Sequence, residues 1–307
     1  MKQMSVSSSS GHIVNAMTVD VEDYFHVSAF ADAIDRADWH DMPSRVVANT
    51  HRLLDLFDGQ GVKSTFFVLG WVAEREPGLV REIVERGHEL ACHGYSHQLV
   101  YNQTPELFRE ETFRSKDLLE QAGQVPVRGY RAASYSITRR SQWALDILGE
   151  AGFEYDSSIF PVRHDRYGIP GAGRWPHEMT LNEGRRLVEF PLSTVRWAGM
   201  TLPMAGGGYF RLYPYALSRA GFRNINQGAG KPFVFYLHPW EVDPGQPRIK
   251  AKALSRFRHY NNLHRCESRL RRLLNDFRFA PMRDVLASME LVPGESSAPV
   301  GAATAQG

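Results

Sequence analysis

Two hydrophobic periods alternate along the first half of the chain. "HIVNAMTVDV" (12–21), "KSTFFVL" (63–69) and "HELACH" (88–93) are short, apolar runs that predict strands. "SRVVANTHRLLDLFDGQG" (44–61) sets Val46, Leu53, Leu54 and Phe57 at helical spacing and ends in glycine. "PGLVREIVERG" (77–87) starts with proline, ends with glycine and puts Leu79, Val80, Ile83 and Val84 on one face. "TPELFREETFRSKDLLEQAG" (104–123) predicts a helix capped by Thr104, with Pro105 in its first turn. "VRGYRA" (127–132) and "FEYDSSI" (153–159) predict strands on either side of the helix "RRSQWALDILGEAG" (139–152). Strands and helices in strict alternation with short connections predict an α/β fold, a parallel sheet or barrel covered by helices.

The rhythm blurs after Phe160. "PVRHDRYGIPGAGRWPHEMT" (161–180) predicts loops, and "RLVEFPLSTVRW" (186–197) predicts paired strands. "KPFVFYLH" (231–238) predicts a buried strand. "RFRHYNNLHRCESRLRRLL" (256–274) interleaves basic and apolar residues as a solvated amphipathic helix does. The stretch 246–290 is therefore expected to be a helical extension. The first 12 residues and the tail from 291 are expected to be disordered.

Parallel α/β folds place their chemistry at the C-terminal ends of strands. The first strand delivers Asp20, Glu22 and Asp23 there, the third His93 with His97 four residues on, the fourth Arg131, and the late strand His238. One by one these residues have ordinary explanations: turn acids, a structural histidine, a surface ion pair. A polar residue at every such strand end points to a site. Two imidazoles and a carboxylate make a three-ligand set with open positions, as in catalytic zinc sites, and suit other divalent first-row metals as well. The i, i+4 spacing of His93 and His97 puts both on one face if a helical turn starts at His93, and Gly94 permits the sharp change of direction. A divalent metal lowers the pKa of water towards neutrality, so no serine or cysteine nucleophile is needed. A second carboxylate would serve as base, His238 as acid, and Arg131 would hold the base ionised.

Composition narrows the choice of partner. A net charge of +2 over 307 residues gives no reason to expect a nucleic-acid surface. Two cysteines without a CxxC pair, no apolar leader run and no stretch of 18 apolar residues predict a reduced, cytoplasmic setting without a transmembrane segment. Cys92 is expected to point into the core, away from the site.

Taken in order, "TVDVED", "HGYSH", "YRAASYS" and "YLHPWE" resemble motifs of the polysaccharide deacetylases of the NodB-homology class, carbohydrate esterase family 4, over about residues 13–245. "YDSSIFP" and "GGGYFRLYP" resemble the subfamily found in exosortase-linked exopolysaccharide loci, as does "HRCESRLRRLLNDFRFAPMRDVL" at the C-terminus. The resemblance implies a distorted (β/α) barrel that removes N-acetyl groups from an exopolysaccharide or its precursor with metal-activated water. The metal would be Zn2+ first, with Co2+ or Mn2+ as alternatives. It also implies Asp20 as general base, His93 and His97 as metal ligands, His238 as general acid, Arg131 orienting Asp20, and Tyr135 on the substrate groove. The common first motif has adjacent aspartates; here Val21 separates Asp20 from Glu22, and Asp23 follows, so Glu22 and Asp23 both stand as candidates for the carboxylate ligand. Gly94 and Ala133 stand where many relatives have a hydroxyl residue and proline. Trp240 is a candidate for the cleft wall and Trp197 for the core, while His26, His164 and His177 are expected to be solvated. Two other readings remain: a hydrolase of small cyclic amides, and a carbohydrate-binding member without turnover.

Overall fold

The computed structural model describes residues 13–197 and 199–294, so the expected disorder of residues 1–12 and 295–307 lies outside the described residues. At the centre is β1 (Val14–Val21), buried at seven of its eight positions. A near-continuous apolar strand of this kind belongs in the middle of a parallel sheet. The other strands are β2 (Thr65–Val68), β3 (Glu89–Cys92), β4 (Gly129–Tyr130), β5 (Tyr155–Asp156), β6 (His177–Thr180), β7 (Arg186–Glu189), β8 (Thr194–Trp197), β9 (Met200–Pro203), β10 (Val234–Leu237) and β11 (Arg278–Ala280). The main sheet runs β10-β1-β2-β3-β4-β5-β7-β6, with β11 also paired to β1 and β8-β9 forming a separate hairpin. All pairings in the main sheet are parallel except that of β6 with β7.

Helices α1 (Val46–Asp58), α2 (Gly70–Arg75), α3 (Pro77–Glu85), α4 (Pro105–Gly123) and α5 (Trp143–Glu150) connect the early strands. The predicted apolar stripes are the buried ones: Leu53, Leu54 and Phe57 on α1, and Leu79, Val80 and Ile83 on α3. Thr104 caps α4 as expected, its hydroxyl accepting the Leu107 N–H. Later come α6 (Gly207–Leu212), α7 (Tyr215–Arg223), α8 (Ala253–Tyr260), α9 (Leu263–Asp276) and α10 (Met282–Ser288).

The curled sheet is an irregular (β/α) barrel. Between its two sides the chain is stitched to β10 by short contacts: the Val234 N–H donates to Ser193 Oγ (2.8 Å), and the Tyr236 N–H to the Ala205 carbonyl (2.8 Å). Gly206 forms an isolated parallel bridge to Tyr236 with φ +130°, and a Cβ there would lie 2.1 Å from the Tyr236 carbonyl oxygen. Gly206→Ala is therefore expected to destabilise the fold by about 3 kcal/mol through strain and overpacking, read as a lower urea midpoint at unchanged m-value. A midpoint equal to wild type would mean the seam tolerates a side chain.

The opposite end of the barrel is plugged by α10. Ala16, Phe67, Ala91, Tyr155 and Val234 form an inner cluster with Met282, Val285 and Leu286 of α10. The Met282 N–H donates to Thr65 Oγ1 (2.7 Å) at the start of β2. The extension after residue 246 is thus helical but also supplies β11, which pairs with the first residues of β1. Val292, expected in a disordered tail, is buried against the same cluster.

Four other local expectations change. The last residues of the loop-rich stretch form β6, paired with β7 across His177–Glu189. β7 and β8 are both strands but do not pair with each other, because β8 turns back on β9. Trp197, expected in the core, is 62% exposed on that hairpin. α2, six residues long, falls between predicted elements, being too short to show a period.

Candidate active site

The parallel register brings the ends of β1, β3, β4 and β10 to one rim. Ala16, Thr18 and Asp20 alternate on the inner face of β1, so the strand rises from the apolar plug to an acid. Glu22 follows on the same side; His93, Arg131 and His238 each come directly after their strands. They meet at a cleft of about 430 Å³ whose floor includes Asp20, Glu22, His93, His97 and His238.

Asp20 is held on both oxygens. Arg131 Nη1 donates to Oδ1 at 2.6 Å and the Tyr135 hydroxyl to Oδ2 at 3.2 Å. Arg131 is fully buried, bonded also to Thr18 Oγ1 (2.8 Å) and to both the carbonyl and hydroxyl of Ser157 (3.2 and 3.1 Å). Burial opposes the guanidinium charge, but Asp20 beside it lifts the pKa above its ordinary value. Ser134 and Tyr135 have φ of +51° and +55°, an uncommon conformation for non-glycine residues, in the turn that carries the Tyr135 hydroxyl to Asp20.

The metal-type donors are Glu22, His93 and His97, whose nearest candidate atoms all lie within 4.8 Å of one another. His93 Nδ1 sits 2.8 Å from the Arg131 carbonyl, which requires the N–H on Nδ1 and leaves the Nε2 lone pair free. His97 Nε2 is 2.7 Å from Glu22 Oε2. No helical turn joins the two histidines. Positive φ at Gly94 (75°) and His97 (50°) folds the loop back instead and sets the rings 5.4 Å apart. Burial pulls His93 down to about 4. Burial pushes Glu22 up, but the charges of His97 and His238 outweigh it and hold the carboxyl well below its usual range. A neutral imidazole and an ionised carboxylate are the states a cation needs. His97 Nδ1 is buried without a hydrogen-bond partner, so the site fits a divalent cation by donor chemistry and by an unmet polar atom alike.

Asp23 is turned away from this set. Its Oδ1 accepts the Tyr24 N–H (2.9 Å), and its Oδ2 accepts the Ser44 hydroxyl (2.9 Å) and the N–H groups of Arg45 (2.6 Å) and Val46 (3.0 Å). It supplies the start of α1 with the acceptor that the N-cap residue Arg45 lacks. Of the two candidate carboxylates, Glu22 alone faces the histidines, because β1 ends at Val21 and the next peptide rotates Asp23 outwards.

His238 stands on the other side of the cleft, its Nε2 3.6 Å from Glu22 Oε1 and 3.9 Å from Asp20 Oδ2. Its Nδ1 is 2.8 Å from Glu241 Oε1, and Glu241 Oε2 takes Arg211 Nε at 2.5 Å. Arg211 is buried and reaches the carbonyls of His259 (2.7 Å), Asn261 (2.7 Å) and Arg258 (3.1 Å). Burial pulls His238 down, yet Glu22, Glu241 and Asp20 together raise it to about 9. Burial likewise opposes ionisation of Glu241, and Arg211 and His238 hold it at about 2. The i, i+3 spacing in "HPWE" was a signal for Glu241; Arg211, 30 residues from Glu241, had none.

Tyr135 and Trp240 both line the cleft but are almost wholly buried. Trp240 is stacked between His238 and His259 (4.8 and 4.1 Å) and donates its Nε1–H to Glu22 Oε1 (3.1 Å). It supports two site residues from below. His26, expected on the surface, is buried among Phe25, Trp39 and Trp71, with Nδ1 accepting the Asp23 N–H (2.9 Å). His164 stacks on Tyr167 (3.8 Å) in the cleft wall, and His177 begins β6. Cys92 is buried, as alternation predicts.

Comparison with known proteins places the fold and the sequence together. The "Polysaccharide deacetylase" family profile matches residues 38–155, and the "Domain of unknown function (DUF3473)" profile matches residues 157–287. Asp20 and Glu22 precede the first match, His93, His97 and Arg131 lie within it, and His238 lies in the second. A peptidoglycan-N-acetylglucosamine deacetylase of Listeria monocytogenes is 37% identical over 87 residues, 28% of this chain and 18% of that protein. The chain thus aligns with less than a fifth of that relative's length. A putative polysaccharide deacetylase from Mycobacterium smegmatis shares the fold at TM-score 0.60 and 23% identity, over 96% of this chain and 97% of the other. An allantoinase shares it at TM-score 0.58 and 15% identity, over 92% of each. With the strand-end residues gathered on one rim and the profile match running through three of them, the chain carries a polysaccharide deacetylase domain of the NodB-homology class over residues 38–155, followed by a DUF3473 match over residues 157–287.

Proposed function

We propose that this chain is a metal-dependent N-deacetylase of an N-acetylated polysaccharide, an exopolysaccharide or its precursor. One observation carries it: Asp20, fixed by Arg131 and Tyr135, and His238, fixed by Glu241, flank the Glu22–His93–His97 set within one cleft. Glu22, His93 and His97 would hold the cation; two imidazoles and a carboxylate suit Zn2+ first, with Co2+ or Mn2+ as alternatives. A divalent cation there supplies a Lewis acid for the amide carbonyl and lowers the pKa of water.

The chain's own residues do the rest. Asp20 takes a proton from the water that attacks the carbonyl carbon, and Arg131 keeps Asp20 aimed. His238, protonated on Nε2 while Nδ1–H donates to Glu241, gives its proton to the amide nitrogen as the C–N bond breaks, releasing acetate and a free amine. Trp240 and Tyr135 close the floor against bulk water.

This assignment sets the sign of a pH effect. His238 acts in its protonated form, so activity falls as pH rises through its pKa. Removing the Glu241 charge lowers that pKa, and Glu241→Gln is expected to move the alkaline limb of kcat/KM down by about 1–2 pH units. An unmoved limb would take His238 out of the acid role.

The primary test is acetate release from a panel of N-acetylated oligosaccharides, before and after chelation and with zinc, cobalt or manganese restored. Acetate that disappears with chelator and returns with metal is the expected result. Turnover of a cyclic ureide but of no oligosaccharide would replace the reading with that of a cyclic-amide hydrolase. Failure to retain any divalent metal, with no activation on adding one, would leave carbohydrate binding alone.

A further inference from the structure

We infer that the mouth of the cleft docks on an anionic lipid surface, through the exposed face of α8 and the end of α6. Three large apolar side chains stand in solvent there: Leu254 (58% exposed) and Phe257 (56%), one turn apart on α8, and Leu212 (46%) at the end of α6. All three line the same cleft whose floor holds Asp20, Glu22 and His238. Exposed side chains scattered singly need no explanation, but three from two elements meeting at one rim do.

The charge around them is one-sided. Arg248, Lys250, Lys252, Arg256 and Arg258 are all exposed, and no acidic residue occurs between Asp243 and Glu267. The acids that answer from other elements are Asp32, 2.7 Å from Lys252, and Asp165, 3.8 Å from Arg258. Arg166 adds a cation to the cleft rim. The whole chain is nearly neutral, so this is a local field, not a general property of the surface.

Apolar tips set among arginines and lysines match the boundary of an anionic bilayer, where the tips enter the acyl region and the cations meet headgroup phosphates. A glycan alone would be met by ring faces paired with hydrogen-bonding groups, which this cleft offers at the stacked His164 and Tyr167, whereas Leu212 and Leu254 offer neither. α8 is not loosely attached. Arg211, which bonds Glu241 under His238, also holds the carbonyls of Arg258, His259 and Asn261 at the end of α8. The docking face and the site floor are therefore one rigid piece, and docking presents the cleft to the membrane. Resting on the deacetylase reading, the substrate class becomes an N-acetylated saccharide held at a membrane surface.

Vesicle co-sedimentation of the full chain tests this without turnover. Vesicles of phosphatidylcholine with 30% phosphatidylglycerol are expected to bind the protein roughly tenfold more tightly than phosphatidylcholine alone, and 0.5 M salt to remove most of the difference. The double variant Leu254→Ser/Phe257→Ser should lose at least about tenfold in binding to the anionic vesicles. Lys250→Glu/Lys252→Glu/Arg256→Glu should abolish the preference for them, with thermal unfolding midpoints near wild type in both. Equal binding to both vesicle types, or both variants sedimenting like wild type, overturns the proposal. So does a wild-type dimer that the Leu254→Ser/Phe257→Ser variant turns into monomer, since the face would then cover a second copy. Acetate release from short soluble oligosaccharides is measured separately, so failure of docking and failure of the deacetylase reading are distinct results.

Discussion

Asp20→Asn is expected to lower turnover by roughly 10²–10⁴-fold, the usual contribution of a positioned general base, while leaving bound metal near the wild-type amount. Asparagine keeps one oxygen, which can still accept from Arg131 Nη1, while its NH2 group takes the place of Oδ2 and leaves the Tyr135 hydroxyl to accept where it had donated. It loses the charge that balances a fully buried guanidinium, and stability should fall by about 1.5–3 kcal/mol. The glutamate and histidines of the metal-type set touch neither oxygen of Asp20 through a hydrogen bond, which separates the two functions. Turnover within a few-fold of wild type, on a substrate that the wild type hydrolyses, would remove Asp20 from the role of base. Loss of metal together with activity would make it part of the ligand set instead.

A second pair of variants separates the two carboxylates that follow β1. Glu22→Gln is expected to weaken metal retention by at least about 100-fold, since even residues that only support a ligand cost 10–100-fold. Asp23→Asn should leave metal retention unchanged and cost about 2 kcal/mol of stability, because Asp23 satisfies the Arg45 and Val46 N–H groups and the Ser44 hydroxyl at the start of α1. Equilibrium dialysis against a competing chelator reads the first effect and urea unfolding the second. The reverse pattern, with metal lost from Asp23→Asn and kept by Glu22→Gln, would contradict the geometry around β1.

The early half of the fold was legible because local and tertiary demands agree there. The apolar stripes of α1 and α3 are the ones that meet the sheet, and the Thr104 cap sits where its side chain predicts. Beyond Phe160 they part company. The four residues of β6 alternate between half-buried and exposed, at the antiparallel edge of the sheet, and carry no β-branched run to mark them. β8 has the composition of a core strand, yet it leaves the sheet for a hairpin and strands Trp197 in solvent. His26 was read as surface from its loop position, but a ring of Phe25, Trp39 and Trp71 collected from three segments buries it.

By itself, the sequence determined which residues stand at strand ends. Strand alternation and chain order are local properties, so Asp20, His93, Arg131 and His238 could be placed at one rim from the pattern alone. Which of Glu22 and Asp23 faces the histidines was decided only by the tertiary structure. The peptide after Val21 is free to rotate either acid inwards, and it is the unmet donors at the start of α1 that draw Asp23 away. The same holds for the support of His238. Glu241 is a near neighbour in the chain, but Arg211 and the carbonyls at the end of α8 come together only when α6 packs on β10 and α8 on the turn that follows it. Contacts between residues tens of positions apart leave no period in the sequence, because packing selects them and local conformation does not.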